Sequence, residues 1–486
     1  MDLILVLALL TPPFAAALLA LVVRREPGRV AWLNALTMPV SFATAAAIAV
    51  RLAEGGAPVV VGDLWRLDAL SALLAVLVSG VATLAAALGP GLDRGHRVPA
   101  GETRTFRLWA NLFAFTMLVA VSTGNLGVMW VAIEATTVTS ALLIPLRRTK
   151  ASVDASWKYL LIGSVGIALA FTGTVLAYVD FATTGADINV ALHWTSLRAA
   201  ATALHPQVAR LAFVFLLVGF GTKAGLAPMH MWLPDAHSEA PSPLSAMMSG
   251  VLLSVALYAI VRWKTIVDLA VGSAFSDSLL IIVGMTTAAV GSFSLLSQTH
   301  FKRLLAFSSI EHMGLACFGL ALGPLGVFAA LLHLSAHALA KSAAFLLSGR
   351  VLERYGSGTI AGARGLLVTA PHTAVLFAAG IFALGGLPPF GLFLSEILIV
   401  KAGWEAGHPV LTGIVLVLLL VAFGSLLVQL HRMLFGAAAP GVVRGERATV
   451  SVVLLAIPVM LLVWLGVSMP PQLQSLLNHA VLVVRP

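Results

Sequence analysis

Runs of about 20 apolar residues, the length at which a helix crosses the hydrocarbon of a bilayer, recur from one end of this chain to the other. In lipid such a run must satisfy its backbone amides and carbonyls within itself, which a helix does. About fourteen runs are read, near residues 2–23, 30–50, 67–89, 106–124, 126–146, 156–179, 208–228, 243–263, 277–298, 303–322, 325–349, 370–400, 408–430 and 450–468. Hydrophobic residues make up 59% of the 486 and charged residues 10%, a balance no soluble globular domain sustains. The expected fold is an all-α polytopic membrane protein with about 14 transmembrane helices.

A formal charge of +9 suggests nucleic acid only until its positions are read. With the N-terminus outside, loops assigned to the cytoplasm hold eighteen lysines and arginines, among them Arg24, Arg25, Arg29, Arg94, Arg97, Arg104, Arg303, Arg350 and Arg447. The opposite loops hold seven: Arg51, Arg66, Arg198, Arg210, Arg262, Lys264 and Arg485. That asymmetry places both termini outside the cytoplasm and leaves no role for nucleic acid. Cys317 is the single cysteine, which excludes an intrachain disulfide and a cysteine-ligated cluster built by this chain alone. The first run lacks a basic leader and a cleavage site, so it reads as a retained helix.

One apolar run, near 208–228, is interrupted by Gly219, Gly221, Gly225 and Pro228 and carries Lys223 before the break. Helix breakers at membrane depth are tolerated only where the freed backbone meets protein or water, so the break implies a polar cavity. Pro234, Pro241 and Pro243 then divide a segment that carries His230, Asp235, His237 and Glu239. Glu134 stands near the middle of the run 126–146, where an ionised carboxylate costs about 2.5–3.5 kcal/mol and needs a cation or water. Lys158 opens the next run; near a helix end, its alternative is to snorkel to the surface.

The second half repeats the pattern. GLAPMHMWLPD at 225–235 aligns with GLPPFGLFLSE at 386–396, an offset of 161, and Glu134 in VAIEA has a counterpart in Glu311 of SSIEH. Residues 106–265 and 277–435 therefore read as two five-helix repeats, between scaffold helices at 1–105 and a last helix and tail at 450–486. Five spans per unit, an odd number, force the repeats into opposite orientation, and paired breaks at Gly225, Pro228 and at Gly386, Pro388, Pro389 point to a transport site. His333, His337 and Lys341 recur every four residues on one helix face, climbing about 6 Å per step. The same spacing allows half of a metal site, but no acidic or thiolate ligand lies on that face and Lys341 repels a cation, so no metal is expected. A haem held by His312 and His333 is a further alternative. Glu396 follows the second break, and its five-residue spacing from Lys401 suits an ion pair poorly.

These residues together resemble the antiporter-like membrane subunits shared by respiratory complex I, multi-subunit sodium/proton antiporters and energy-converting membrane hydrogenases. PDAHSEAPSPLSAMMSGVLLSVALYAIVRW, at 234–263, looks most like the F-type membrane component of hydrogenase-4, found in formate hydrogenlyase-type complexes. The resemblance implies two inverted five-helix repeats with broken helices 7 and 12. It also implies a line of proton-carrying groups at mid-membrane: Glu134, Lys158, Lys223, His312, then His333, His337 and Lys341, then Glu396. Ser254 stands where some subunits of this family place a lysine, so the link across that gap falls to water, His230 or His237. The implied function is proton translocation within an energy-converting oxidoreductase complex of hydrogenase-4 or complex I type, in a bacterial or archaeal cytoplasmic (inner) membrane. No redox chemistry and no cofactor are expected of this chain; its expected partners are other membrane subunits, a peripheral redox arm and the lipid bilayer. The same residues suit a cation/proton antiporter coupled to sodium, a subunit energising inorganic-carbon uptake, or a structural subunit that does not pump.

Overall fold

The structure is a computed structural model describing residues 1–23, 28–89, 99–438, 441–446 and 449–485, with backbone alone for 28–35. Six of the cations weighed above, Arg24, Arg25, Arg29, Arg94, Arg97 and Arg447, lie outside the described side chains. Helices α1 (Asp2–Val22), α2 (Gly28–Ala53) and α3 (Ala69–Leu88) form the first group. Between α2 and α3 a short antiparallel hairpin joins Val59–Val61 to Trp65–Leu67, which the all-helical expectation omitted; three valines, a turn at Gly62 and Asp63, and a tryptophan give it strand character. The next helix, α4 (Ala100–Ser122), begins six residues before its expected start. Arg104, counted as a loop cation, lies in its first turns and donates from Nε to the carbonyl of Ala20 at 2.8 Å. It thereby satisfies a carbonyl at the C-terminal end of α1 that has no intrahelical partner.

The chain continues through α5 (Leu126–Ala141), α6 (Lys150–Thr183), the short α7 (Trp194–Ala199) and α8 (Pro206–Lys223). The break falls after Lys223, at Gly225 and Pro228, whereas Gly219 and Gly221, also read as interruptions, lie inside α8; Gly225 takes a φ of 74°, a conformation that glycine reaches without a Cβ penalty. Short helices α9 (Trp232–Glu239) and α10 (Ser242–Met247) follow, and a π-helical turn, Met248–Leu252, joins α10 to α11 (Leu253–Val271). Residues 242–267 are all buried and run through the centre of the molecule.

Around it lie α12 (Ser273–Leu295), α13 (Phe301–Leu320) and the 33-residue α14 (Gly323–Tyr355). After a short α15 (Leu366–Thr369), α16 (Pro371–Leu384) stops and α17 (Gly391–Glu405) restarts beyond Gly386, whose φ is 67°. The chain closes through α18 (Pro409–Leu434), α19 (Val450–Val467) and α20 (Pro471–Val484). Among the described residues, eleven helical stretches are long and apolar enough to cross a membrane. The other expected runs correspond to α8, interrupted at its break, to α13, which carries Lys302, Arg303, Glu311 and His312, and to the divided pair α16 and α17.

Cations assigned to one outer loop set prove to be inside helices. Arg262 (4% exposed) and Lys264 (0%) both belong to α11. Each is tolerated there because an acid meets it: Asp68 accepts two hydrogen bonds from Arg262, and Asp277 lies 2.8 Å from Lys264.

Candidate functional site

Two buried clusters hold most of the ionisable residues picked from the sequence. The first is built where α5, α6 and the end of α8 meet. Because α8 terminates at Lys223, its side chain points into protein rather than up a helix wall, and it is 1% exposed. The Lys223 ammonium donates to Thr137 Oγ1 at 2.6 Å and to the Tyr159 hydroxyl at 2.7 Å, and it also stands 4.5 Å from the Tyr159 ring centre. Thr137 in turn donates to Glu134 Oε2 at 3.0 Å. One hydroxyl therefore links the ammonium to the carboxylate, with no direct ion pair between them. Ser164 donates to the other Glu134 oxygen at 3.4 Å, and Glu134 itself is only half-buried. Ser140 gives its proton to the Thr136 carbonyl, so the Tyr159 hydroxyl, 2.8 Å away, donates to Ser140.

The second cluster lies among α13, α14 and α17. Lys341 is fully buried and donates to the Leu305 carbonyl at 2.8 Å and to Ser308. One turn back along α14, both nitrogens of His337 lack a hydrogen-bond partner among the described residues, and its ring meets that of His312 edge-on at 5.3 Å. His312 Nδ1 lies 3.2 Å from His333 Nε2 and 3.4 Å from Glu311 Oε2, and His333 Nδ1 lies 2.9 Å from Ser395 Oγ. Glu396, next to Ser395 on α17, is 8% exposed, and its Oε1 has no hydrogen-bond partner among the described residues. A ring nitrogen of His312, one of His333 and a carboxylate oxygen of Glu396 lie within 4.8 Å of one another. The acid missing from the face of α14 is thus supplied by α17. His312 and His333 touch each other, which leaves no slot for a haem between them.

The two clusters are separated by the central stretch. Just before it, in α9, His237 is buried, stacked on Phe345 at 4.9 Å, with both ring nitrogens unpartnered among the described residues. Ser249, in the π-helical turn, bonds Ser309 of α13 at 2.6 Å. Ser254 is buried without a hydrogen-bond partner among the described residues, and His230, also buried, lies next to the first break. Lys158 stands apart: its side chain is 51% exposed and lies 3.3 Å from both Asp154 and Asp235, the latter also held by Arg303. Lys401 likewise reaches Glu405, not Glu396.

A hydroxyl-bridged ammonium and carboxylate, followed by imidazoles in contact and a second carboxylate, can hold and pass protons with little rearrangement of backbone. The family model described as "NADH:quinone oxidoreductase/Mrp antiporter, TM" matches residues 123–422, which contain both clusters. The chain belongs to that family. Among its relatives, the hydrogenase-4 component F homolog of Methylacidiphilum infernorum is 36% identical over 397 residues, 81% of this chain and 82% of the relative. NADH-quinone oxidoreductase subunit N of Desulforudis audaxviator is 31% identical over 467 residues, 91% of this chain and 88% of the relative. The fold is similar to a chain of the membrane-bound sulfane sulfur reductase, an archaeal respiratory membrane complex, with a TM-score of 0.89 at 24% identity over 100% of this chain and 98% of that one. As an antiporter-family member the chain is a multi-pass membrane protein.

Within this antiporter fold, the sequence set Thr137 beside Glu134 without a role, and the other hydroxyls were missed: Tyr159 and Ser140 around Lys223, Ser308 at Lys341 and Ser395 at His333. Serines and threonines in helices are too common to carry a signal. Tyr159 was within reach, being one of four tyrosines in the chain and set in an apolar run beside Lys158.

Proposed function

We propose that this chain is a proton-translocating, antiporter-like subunit of an energy-converting oxidoreductase complex of hydrogenase-4 or complex I type. It would lie in a bacterial or archaeal inner membrane, with both termini outside the cytoplasm and with neighbouring membrane subunits and a peripheral redox arm as partners. Residues 106–265 and 277–435 act as two inverted five-helix repeats within a set of fourteen spans, the first with a break after buried Lys223 and the second with a break at Gly386 and with Lys341 buried in α14. The observation that carries this reading is Lys223, sealed from water at a helix break and joined to Glu134 through the Thr137 hydroxyl.

In the working cycle a proton is held on Lys223 while Glu134 is near, and it leaves toward His237, Lys341, the histidine cluster and Glu396 when the carboxylate withdraws. Moving one charge across about 150 mV requires roughly 3.5 kcal/mol, scaled from about 2.3 kcal/mol per 100 mV. A carboxylate shifting by several ångströms in a poorly solvated site changes an ammonium's energy by that order. Glu134 suits such a motion because it is only half-buried and held by two hydroxyls rather than by a cation. The complex reconstituted with Lys223→Ala is expected to retain electron transfer and to lose at least tenfold in proton uptake per electron. Unchanged uptake would retire the proposal.

A further inference from the structure

We propose that His312, His333 and Glu396 form a binding site for a late transition-metal dication of the Zn²⁺ class, and that the bound ion blocks the proton route. The histidine lone pairs decide the chemistry. Ser395 donates its hydroxyl proton to the Leu392 carbonyl at 2.8 Å, so His333 Nδ1, 2.9 Å from Ser395 Oγ, must be the donor of that pair. The neutral ring then carries its lone pair on Nε2, which faces His312 Nδ1 at 3.2 Å. Two imidazole nitrogens on one tetrahedral ion stand about 3.3 Å apart when each ligand bond is about 2.0–2.1 Å, so the ring pair is already at ligation spacing. The Nδ1–H of His333 bound to a fixed hydroxyl is the outer support that metal-ligating histidines use to hold ring orientation.

The third donor is available rather than engaged elsewhere. Glu396 Oε1 is buried without a hydrogen-bond partner among the described residues, and a carboxylate oxygen of Glu396, a ring nitrogen of His312 and one of His333 lie within 4.8 Å of one another. Charge permits a dication: Glu311, 3.4 Å from His312 Nδ1, and Glu396 are acids of the same cluster, against Lys341 one and two turns along α14 from His337 and His333. Two imidazoles and one carboxylate select zinc, cobalt or copper over sodium, magnesium or calcium, which prefer all-oxygen shells. A bound ion takes up the lone pairs through which the two rings exchange a proton. Binding rests on geometry alone, whereas the block rests also on the proton-translocation reading above.

The test is Co²⁺ titration of the full-length purified chain, read by the visible d–d absorption of four-coordinate cobalt and by metal content, with Zn²⁺ as competitor. One Co²⁺ per chain is expected, displaced by Zn²⁺ and weakened at least tenfold in both His333→Gln and Glu396→Gln. Two variants on different helices guard against a single misfolded one. Absence of stoichiometric cobalt, or binding that neither substitution weakens, overturns the site. In proteoliposomes of the complete complex, Zn²⁺ bound at the same affinity should slow proton uptake at least tenfold. If cobalt binds as expected and uptake persists, the block fails together with the placement of these histidines on the route, while the metal site stands.

Discussion

At Gly386 the backbone turns with a positive φ, and a methyl group built on its Cα would collide with Glu396 Oε2. The glycine that interrupts the helix is therefore also the floor on which the Glu396 carboxylate sits. Gly386→Ala carries about 1–2 kcal/mol of left-handed backbone cost and should displace the carboxylate as well. Proton uptake per electron in the reconstituted complex is expected to fall to that of Glu396→Gln; uptake at the unsubstituted level would show that the carboxylate does not need that seat. The sequence disclosed Gly386 as a breaker, because glycine and proline inside an apolar run are conspicuous. It did not disclose the collision, which depends on how α17 folds back over the break. Glu134, Lys223, Lys341 and Glu396 were legible for a different reason: charge within an apolar run is costly and so rarely incidental. Their hydroxyl partners carry no such mark.

Helix α3 looked inert in the sequence, with no ionisable residue in its interior, yet its first turn anchors α11. Asp68 caps α3 by accepting from the Ser71 amide at 3.1 Å and receives both ends of the Arg262 guanidinium at 2.6 and 2.7 Å, while Ser71 Oγ accepts a third bond from Arg262. Removing one partner of a buried pair leaves the other charge uncompensated, at about 3–5 kcal/mol, whereas replacing both by apolar groups is often near neutral. Asp68→Asn should therefore lower the midpoint of thermal unfolding in detergent, and Asp68→Leu combined with Arg262→Leu should recover most of the loss. An unshifted midpoint in the single variant would mean that the pair does not hold α3 to α11. Periodicity and hydropathy delivered the helices and both breaks. They put Arg262 and Lys264 in a loop, because a cation near a run's end reads as a boundary until the acid that neutralises it, 194 residues away for Arg262, is seen.

Across the whole molecule the C-terminal part returns to the beginning. The tail after residue 471, which showed no chemistry in the sequence, is α20: Ser475 donates to the Ala53 carbonyl at 2.6 Å, and Arg485 meets Asp277 at 2.6 Å. A second long-range tie joins the segment before α19 to α14 and α16, where Glu446 accepts from the Thr373 amide and hydroxyl and from Arg350 at 2.7–2.9 Å. Burial alone would raise the Glu446 carboxyl, but the Thr373 hydrogen bonds and the Arg350 guanidinium prevail and hold it below the usual 4.5. A carboxyl lowered on folding contributes stability that is fully present above its unfolded value and lost as pH falls through the folded one. Hydrogen exchange over residues 441–446 should accelerate below about pH 4.5 beyond the intrinsic trend, and Glu446→Gln should show no such step; parallel profiles would rule the tie out. Such ties join residues from 73 to 422 positions apart, and no local pattern announces them. Glu134 has the opposite character: it lies at the middle of α5 and is only partly buried by its own chain. Acyl chains are a costly surround for a carboxylate, and a neighbouring subunit seated on α5 would spare Glu134 that exposure, as a cylinder wall closes an engine.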